Sequence, residues 1–509
     1  MRRLAVLPAI LIAMACLAPA QSTNAQPNNA QISEKKVVQD IWDVAYLEGA
    51  KAGYVHTYVT ESLHGGKKFY QTVMVLFLTV KRNDQVIQLR METGMLENPQ
   101  GKVFGTYMRH YLGPEKKLEI VGKVVGKELQ LTLDGDKALK PAPWDDRVVG
   151  MYRQQRLFAE RKVKTGDTFD YLSFEPTVNL VIGNEVEVKR VEEVEMFGGK
   201  SRRKLLRVET KPGKIEGQQF PTMISWLDRD FQAVRSQMEA PGLGKILLYR
   251  TTKEAALGPA AVAQLPDIAV KQLVRVKRKI ARPYASRSAI YRVTVKGEEE
   301  AGRTFAQDSR QRIKNVQGAS FDLYIDSQRG PANEDGEAKV APKFMQSSYF
   351  INCDDARVKQ LARKAVGAEK DAWKKALRIE KWVHDHMTTR QDEALATADH
   401  VARTLSGDCT EYSMLTAAMC RAEGVPARTA IGLIYADTES GPAFAFHMWT
   451  EVWILGRWIP IDATLGQGYV GATHLKITDH SWNDTRTLNP LLPLLRVLGR
   501  LSIDVVRVE

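Results

Sequence analysis

Three residues between positions 407 and 464 have the types and the order that nucleophilic attack on a carbonyl requires. Cys409 stands where a helix is predicted to begin, His447 lies within a strand pattern, and Asp462 ends the next strand pattern. In such a relay the imidazole takes the thiol proton and later protonates a leaving amine, while the carboxylate fixes the imidazole tautomer. The sequence therefore predicts a nucleophilic site of Cys409, His447 and Asp462.

The predicted helix after Asp408 places Cys409 in its first turn. Asp408 is a favourable N-cap, Glu411 follows it three residues later as in a capping box, and Gly424-Val425-Pro426 ends the helix. The N–H groups of the first turn and the positive end of the helix dipole favour a thiolate there. The N–H of Cys409 is also a candidate donor to an oxyanion.

The strands after this helix predict where the histidine and its carboxylate lie. Alternation places His447 and Glu451 on one face of a strand, and Gly456-Arg457 predicts a two-residue turn to the strand that ends at Asp462. This register sets Asp462 opposite Glu451, about 13 Å along the strand from His447. A bulge, a strong twist or a wider loop must close the gap. Glu451 is the competing carboxylate, and we expect Asp462 to be the partner.

Neither a metal site nor a cofactor site is predicted. His384 and His386 lie two residues apart on a predicted helix and point to different sides of it, so they do not form a metal pair. Zinc-ligand and calcium-loop spacings are absent from the rest of the sequence.

Helical patterns precede the cysteine. Asp354-Asp355 can cap a helix that runs to Val366 and ends at Gly367, apolar residues repeat at helical spacing over Asp371–Met387, and a third helix is predicted over Glu393–Leu405.

The N-terminal half of the chain is strand-like. Phe69–Val80 is rich in β-branched and aromatic residues, Val186–Met196 and Lys204–Thr210 flank a hairpin signal, and one short helix is expected around Arg147–Glu160. The predicted fold class is α+β, with a large antiparallel β-rich region before a core of helices and then antiparallel sheet.

Composition divides the chain into five predicted parts. Leu257–Asp267 and Ser327–Ala341 contain turn-forming residues and indicate boundaries. The parts are a signal peptide at 1–25, a β-rich domain at 26–265, a smaller β-unit or linker at 266–349, a catalytic domain at 350–482 and a tail at 483–509.

The N-terminus has the pattern of a secretory signal peptide. Arg2 and Arg3 precede the apolar run Leu4–Leu17, and small-residue cleavage patterns end at Ala20 and Ala25. No later apolar run is long enough to span a membrane. We expect an exported protein that is periplasmic, cell-envelope-bound or secreted; a lipoprotein signal at the first cysteine and an uncleaved anchor are alternatives.

Three cysteines follow the signal peptide: Cys353, Cys409 and Cys420. Cys409 and Cys420 are about 16 Å apart along one helix, which is too far for a disulfide. A Cys353–Cys420 bridge and three separate thiols both remain open, and Cys409 stays outside a disulfide in either case.

The charge balance is basic. The chain has 73 lysine and arginine residues against 60 acidic residues, a net charge of +13. The basic run Lys271–Arg282 is either a solvated surface or a surface that favours anionic cell-wall or membrane material. Aromatic residues set in a basic face, which are typical of nucleic-acid modules, are absent from the sequence, so nucleic acid is not an expected partner.

Three motifs together resemble the transglutaminase-like superfamily: Gly407–Glu411, Phe446–Trp453 and Trp458–Thr464. The resemblance covers about 350–482 and implies a papain-like α+β core. It implies Cys409 as the nucleophile, His447 as base and acid, and Asp462 as the orienting residue. Members of the family cross-link glutamine to lysine, deamidate, hydrolyse peptide or other amide bonds, or have lost activity.

The expected function is an exported thiol enzyme that attacks amide or carboxamide carbonyls and forms a thioester acyl-enzyme. Peptide or amide hydrolysis is favoured slightly over acyl transfer, because no acyl-acceptor lysine site is evident. Protein or peptide substrates, including those of the cell envelope, are the expected partners. The alternative is a catalytically vestigial envelope scaffold or binding protein that uses its β-rich half.

Overall fold

The computed structural model describes residues 35–82, 85–111, 117–135, 137–199, 201–215, 219–331, 339–390, 395–483 and 489–509. The predicted signal peptide at 1–25 lies outside these ranges, as do 484–488 of the predicted tail. The described residues form two compact units, 35–268 and 269–509. The finer division into five parts stays a prediction. In the described ranges, none of the helices combines the length and the apolar character that a membrane crossing needs.

The N-terminal unit is built on one antiparallel sheet of fifteen strands. Its strands form because apolar residues alternate with polar ones, as in Glu128–Leu133, where Leu129, Leu131 and Leu133 are buried and the residues between them are more exposed. The strands are β1 Lys36–Leu47, β2 Ala50–His64, β3 Lys67–Arg82, β4 Gln85–Glu97, β5 Val103–Tyr111, β6 Lys117–Val125, β7 Glu128–Leu133, β8 Lys137–Ala138, β9 Ala142–Pro143, β10 Thr168–Glu175, β11 Leu180–Glu195, β12 Arg202–Pro212, β13 Met223–Leu227, β14 Ala233–Ala240 and β15 Gly244–Thr251.

Strand order in this sheet follows the chain except at one place. The order is β10 to β15, then β1 to β8, and β9 pairs with β7. The junction is the antiparallel pairing of β1 with β15, which joins the first strand of the unit to its last. The predicted short helix is present as α1 (Met151–Arg161), and two shorter helices, α2 (Lys253–Leu257) and α3 (Ile268–Lys271), follow the sheet.

Four helices precede the strands that carry the predicted site. They are α4 (Ala356–Val366), α5 (Ala372–His386), α6 (Ala398–Thr404) and α7 (Cys409–Ala422). Asp355 caps α4 by accepting two backbone N–H groups, and Asp371 caps α5 by accepting one. The third predicted helix is shorter than expected, and positions 393 and 394 of that prediction lie outside the described residues.

Helix α7 is buried on nearly every side. All residues from Cys409 to Arg421 are buried. The helical spacing in the sequence predicts a narrower buried stripe of Leu415, Ala418, Met419 and Ala422. A helix buried all round lies in the core of its unit. The stripe prediction was therefore too narrow. Five elements pack against α7: helices α4, α5 and α6 and strands β22 (Ala427–Thr438) and β23 (Gly441–Ile454).

The C-terminal unit contains a five-stranded and a four-stranded sheet. The five-stranded sheet has the order β16-β23-β22-β25, with β24 paired to β23, and the four-stranded sheet has the order β18-β19-β17-β26. Their strands, with the short parallel pair β20 and β21, are β16 Val274–Arg275, β17 Ser288–Val295, β18 Gln311–Gln317, β19 Ser320–Asp326, β20 Thr388–Thr389, β21 Ser406–Gly407, β22 Ala427–Thr438, β23 Gly441–Ile454, β24 Arg457–Ile461, β25 His474–His480 and β26 Leu501–Val508.

The predicted fold class is confirmed: a large antiparallel β-rich region precedes a core of helices followed by antiparallel sheet. The centre of that core sheet is close-packed. A Cβ on Gly432 of β22 would lie 1.9 Å from the carbonyl oxygen of Leu475 and 2.9 Å from the ring of Trp449. Glycine at this position lets β22 and β25 approach each other.

Candidate active site

Cys409 begins α7 inside the predicted capping box, which is confirmed. Oδ1 of Asp408 accepts the N–H of Thr410 at 2.8 Å, and Oε2 of Glu411 accepts the N–H of Asp408 at 2.9 Å. Gly407 is needed because a Cβ there would lie 2.3 Å from Cβ of Glu411. The Gly-Asp-Cys sequence thus fixes the turn that presents the thiol.

Glu411 is a buried acidic residue in the first turn of α7, two positions after Cys409. Burial raises the pKa of the Glu411 carboxyl well above its ordinary value, and the neighbouring Asp408 carboxylate raises it further. The carboxyl therefore stays neutral at a higher pH than an exposed glutamate does. Its Oε1 also accepts the N–H of Ala396 at 2.9 Å, which ties α7 to the segment before α6.

None of the three cysteines within the described ranges takes part in a disulfide. The predicted alternative of a Cys353–Cys420 bridge is therefore not formed. Burial raises the pKa of the Cys353 thiol and, more strongly, that of the Cys420 thiol. Both are expected to be poor nucleophiles, because it is the thiolate that reacts.

His447 and Asp462 are hydrogen-bonded in the core of the C-terminal unit. Nε2 of His447 lies 2.8 Å from Oδ2 of Asp462, and the two side chains are 0% and 1% exposed. Burial alone would raise the pKa of Asp462, but the two histidines beside it, His447 first, lower it far below its ordinary value. The carboxylate is therefore ionised and can only accept, so Nε2 of His447 carries the proton.

The hairpin that brings Asp462 to His447 differs from the predicted one. The turn residues are Leu455 and Gly456, with φ of 47° and 79°, which is the signature of a type I′ turn. Glu451 pairs with Pro460 rather than with Asp462. Asp462 follows the end of β24 two residues closer to His447 than predicted, so the predicted register was wrong.

The loop that follows Asp462 is held by its own residues and by α5. Oδ1 of Asp462 accepts the N–H of Thr464 at 2.9 Å and its hydroxyl at 2.6 Å. From α5, Nδ1 of His384 donates to the carbonyl of Ala463 at 2.9 Å, and Glu380 accepts the N–H of Gly468 at 3.0 Å. His384 therefore positions the loop that follows Asp462, a role that could not be predicted from the sequence.

Glu451, the competing carboxylate, has different partners. Its Oε2 accepts Nε of Arg428 at 2.8 Å and Nζ of Lys476 at 2.8 Å. All three side chains are largely buried. Glu451 belongs to a buried ion cluster on β22, β23 and β25.

A second histidine, His474, contacts the same carboxylate. Its Nε2 lies 3.1 Å from Oδ2 of Asp462, and its side chain is 0% exposed. His474 begins β25 and pairs with Ile434 of β22. His474 could not be identified from the sequence, because no motif marks a lone histidine and only the sheet pairing brings β25 to the site.

One ligand atom each of His447, Asp462 and His474 lies within 4.8 Å of the others, a donor set of the kind that zinc prefers. Both imidazoles, however, use Nε2–H to donate to Asp462. An ion there would require both protons to leave. We therefore describe the three residues as a hydrogen-bonded group.

The thiol end of α7 lies toward His447. The hydroxyl of Thr450 on β23 donates to the carbonyl of Ser413 at 3.2 Å, and the carbonyl of Pro426, beyond the helix, accepts the N–H of Trp453 at 2.9 Å. Helix and strand therefore run in the same direction. Ser413 is one helical turn after Cys409, about 6 Å along the helix axis, and Thr450 is three residues after His447, about 10 Å along the strand. Cys409 and His447 therefore both lie on the N-terminal side of this contact.

The second nitrogen of His447 has the properties of a base. Because Nε2 carries the proton, Nδ1 is left with a lone pair. Nδ1 is buried and has no hydrogen-bond partner among the atoms of the described residues. Such a lone pair can take a proton from a neighbouring group and return it, while Asp462 stabilises the imidazolium that forms.

Two buried histidines predict a loss of stability in acid. Burial lowers the pKa of His474 and of His110 from 6.5 to about 4. Unfolding therefore takes up protons below the ordinary pKa. Above about pH 6.5 each neutral ring makes its full contribution to the free energy of unfolding. That contribution, on the order of 3 kcal/mol per histidine, is lost as the pH falls toward about 4.

Urea unfolding at a series of pH values between neutral and about 4 measures this loss. His110→Gln is expected to reduce the loss of unfolding free energy in acid, because it removes the buried histidine of the N-terminal unit. A free energy of unfolding that is flat over this range would contradict both pKa shifts.

Comparison with known proteins places this segment in a family. Residues 359–463 match the model of the transglutaminase-like superfamily. The chain is also similar to kyphoscoliosis peptidase of Mus musculus, at 34% identity over 82 residues, which are 15% of this chain and 12% of that protein. The chain thus spans only a small part of this relative.

Two solved structures are similar at low sequence identity. One, from Cytophaga hutchinsonii and provisionally named a cysteine protease, is 16% identical with a TM-score of 0.30, and the match covers 44% of this chain and 87% of that one. The other, a domain of unknown function from Brucella abortus, is 14% identical with a TM-score of 0.31, covering 42% of this chain and 95% of that one. TM-scores this low support no further conclusion.

The family match supports a thiol enzyme of the papain-like kind in general terms. It includes the first turn of α7, the strand with the histidine and the end of β24. The segment that carries Cys409, His447 and Asp462 therefore belongs to the transglutaminase-like superfamily.

Proposed function

We propose that the protein is a thiol enzyme in which Cys409 attacks the carbonyl carbon of an amide or carboxamide. The observation that carries the proposal is the buried 2.8 Å hydrogen bond between His447 and Asp462, which leaves the lone pair of Nδ1 of His447 without a partner among the described residues. A thiol at a helix N-terminus beside such a base is an activated nucleophile.

The proposed reaction has two steps. His447 takes the thiol proton as the sulfur bonds to the carbonyl carbon, and it gives that proton to the amine as the C–N bond breaks. A thioester of Cys409 remains. Water, or an acceptor amine, then adds to the thioester carbon while His447 takes its proton, and the thiol leaves with that proton. Asp462 stays ionised throughout and holds the imidazole.

Hydrolysis of peptide or amide bonds is the fate that we favour over acyl transfer. The similar mouse protein is named a peptidase, and no acyl-acceptor lysine site is evident in this sequence. The proposed substrates are proteins or peptides, including those of the cell envelope, and the N-terminal signal pattern supports export.

Alkylation of the purified protein with iodoacetamide across pH tests the nucleophile. The thiol is only 1% exposed, so a small probe is required, and peptide mapping separates its label from those on Cys353 and Cys420. We expect Cys409 to react faster than the same cysteine in denatured protein at neutral pH and below. His447→Ala should remove that advantage, and Cys409→Ser should remove the label.

A Cys409 that reacts no faster than in denatured protein, with a pH profile unchanged by His447→Ala, would refute the nucleophile. That result would favour the alternative of a binding or scaffold protein with a vestigial site.

Mass spectrometry of peptide mixtures, with Cys409→Ser as the control, distinguishes the possible reactions of the thioester. New termini mark hydrolysis, a mass gain of about one unit without cleavage marks deamidation, and joined peptides mark acyl transfer.

A further inference from the structure

The carboxylate of Asp462 receives four hydrogen bonds from the described residues, two on each oxygen. Oδ1 accepts the N–H and the hydroxyl of Thr464 at 2.9 and 2.6 Å. Oδ2 accepts Nε2–H of His447 at 2.8 Å and Nε2–H of His474 at 3.1 Å. Three of these donors lie on β23 or in the loop that follows Asp462. His474 comes from β25, a separate element that approaches the carboxylate from another side.

The chain holds His474 tightly in place. Its carbonyl accepts Nη2 of Arg310 at 2.6 Å, and Arg310 is itself buried. The imidazole meets the indole of Trp449 edge to face, with ring centroids 5.4 Å apart. The ring therefore has one orientation, with Nε2 directed at Asp462.

A space-filling role does not explain a histidine at this position. Nδ1 of His474 is buried and has no hydrogen-bond partner among the described atoms, which costs free energy that an apolar side chain would avoid. Burial also lowers the pKa of His474 to about 4, so the ring is neutral at neutral pH. A neutral ring contributes an N–H donor to Asp462 without adding charge.

We infer that His474 is a positioning residue for the proposed thiol reaction: its hydrogen bond fixes Oδ2 of Asp462 so that His447 keeps its proton on Nε2 and its lone pair on Nδ1. This inference rests on the proposed function. Without His474, Oδ2 would have a single donor and the carboxylate would lose one of its four fixed contacts. His447 would then spend part of its time in the other tautomer or turned from the thiol.

Three variants in the full-length protein test this role. His474→Phe removes the donor but keeps a planar ring, and His474→Gln keeps an N–H donor. The control Thr473→Val removes the hydrogen bond from the Thr473 hydroxyl to the carbonyl of Pro283 at 2.8 Å, which involves neither the imidazole of His474 nor Asp462. Thermal unfolding identifies a temperature at which all are folded. The first readout is the rate of Cys409 alkylation by iodoacetamide as a function of pH.

We expect His474→Phe to lower the alkylation rate at neutral pH by about 10- to 100-fold, the range that outer partners of a functional group contribute. Its profile should move to higher pH, toward that of His447→Ala. His474→Gln should recover most of the rate, and Thr473→Val should keep the wild-type profile. An unchanged profile in His474→Phe, or an equal loss in Thr473→Val, would overturn the inference.

A second readout does not depend on a reactive thiol. In protein labelled with ¹⁵N-histidine and carrying Cys409→Ser, imidazole nitrogen shifts report the tautomer of His447. We expect the Nε2–H form, and a mixture of forms after His474→Phe. If wild-type Cys409 is unreactive while this tautomer still depends on His474, the proposed function fails and the positioning role stands. A tautomer unaffected by His474→Phe refutes the positioning role alone.

Discussion

Asp462→Asn is expected to slow acylation of Cys409 by about 10²- to 10⁴-fold, the range that an oriented general base contributes. The carboxylate accepts Nε2–H of His447 at 2.8 Å. An asparagine amide can present its NH₂ group to that nitrogen instead, which favours the tautomer with the proton on the thiol side. The pre-steady-state burst of nitrophenol from p-nitrophenyl acetate measures the acylation rate, with Cys409→Ser as the blank.

Glu451→Gln is the matched control, because it also removes a buried carboxylate from the same sheet. Glu451 binds Arg428 and Lys476 rather than His447. Its loss is expected to lower stability and to leave the burst rate unchanged in folded protein. Equal slowing by both substitutions would mean that the effect is structural and that Asp462 has no special relation to the base.

Lys476→Met is expected to destabilise the C-terminal unit by about 3 to 5 kcal/mol. Nζ of Lys476 is 2.8 Å from Glu451, 2.9 Å from Asp479 and 3.2 Å from Asp308, while the side chain is 1% exposed. Burial opposes the charge, but the surrounding carboxylates outweigh it and raise the pKa of Lys476. Methionine has a similar shape but removes the cation that the three carboxylates share, so that Arg428 alone among the described residues remains paired with Glu451 and Asp479.

Urea unfolding of the wild type and the Lys476→Met variant measures this loss. Lys381→Met is the control, since Lys381 pairs with Asp385 on the exposed face of α5, where both side chains are largely in water. An exposed pair of this kind contributes about 0.5 kcal/mol or less. A similar small effect at Lys476 would show that the buried cluster adds little to the stability of the fold.

The helix of the candidate site could be predicted from the sequence because its signals are local. Asp408, Glu411 and the Gly-Val-Pro stop all act within one turn of the helix ends, and the observed helix agrees with them within about one residue. The strand of His447 was also predictable, because alternation is a local pattern. The family motifs then linked these two elements to one another.

The carboxylate geometry was predicted less well, because it depends on one turn. Glycine was assigned to the first central position of the hairpin, whereas it occupies the second and Leu455 takes the first with a positive φ. A shift of one residue in the turn moves the pairing by two. His474 and Lys476 were out of reach for a different reason: their partners lie on other strands, and only the sheet order brings them together.

The four-stranded sheet has a consequence for how the C-terminal unit folds. Its strands β17 and β26 are roughly 200 residues apart in sequence, and Val295 pairs with Leu501. The whole candidate site lies inside the loop of chain that this pairing closes. Contacts of such long range are slow to form. We therefore expect the pairing of β17 with β26 to form late in folding, after the helix and strands that carry the candidate site have packed together.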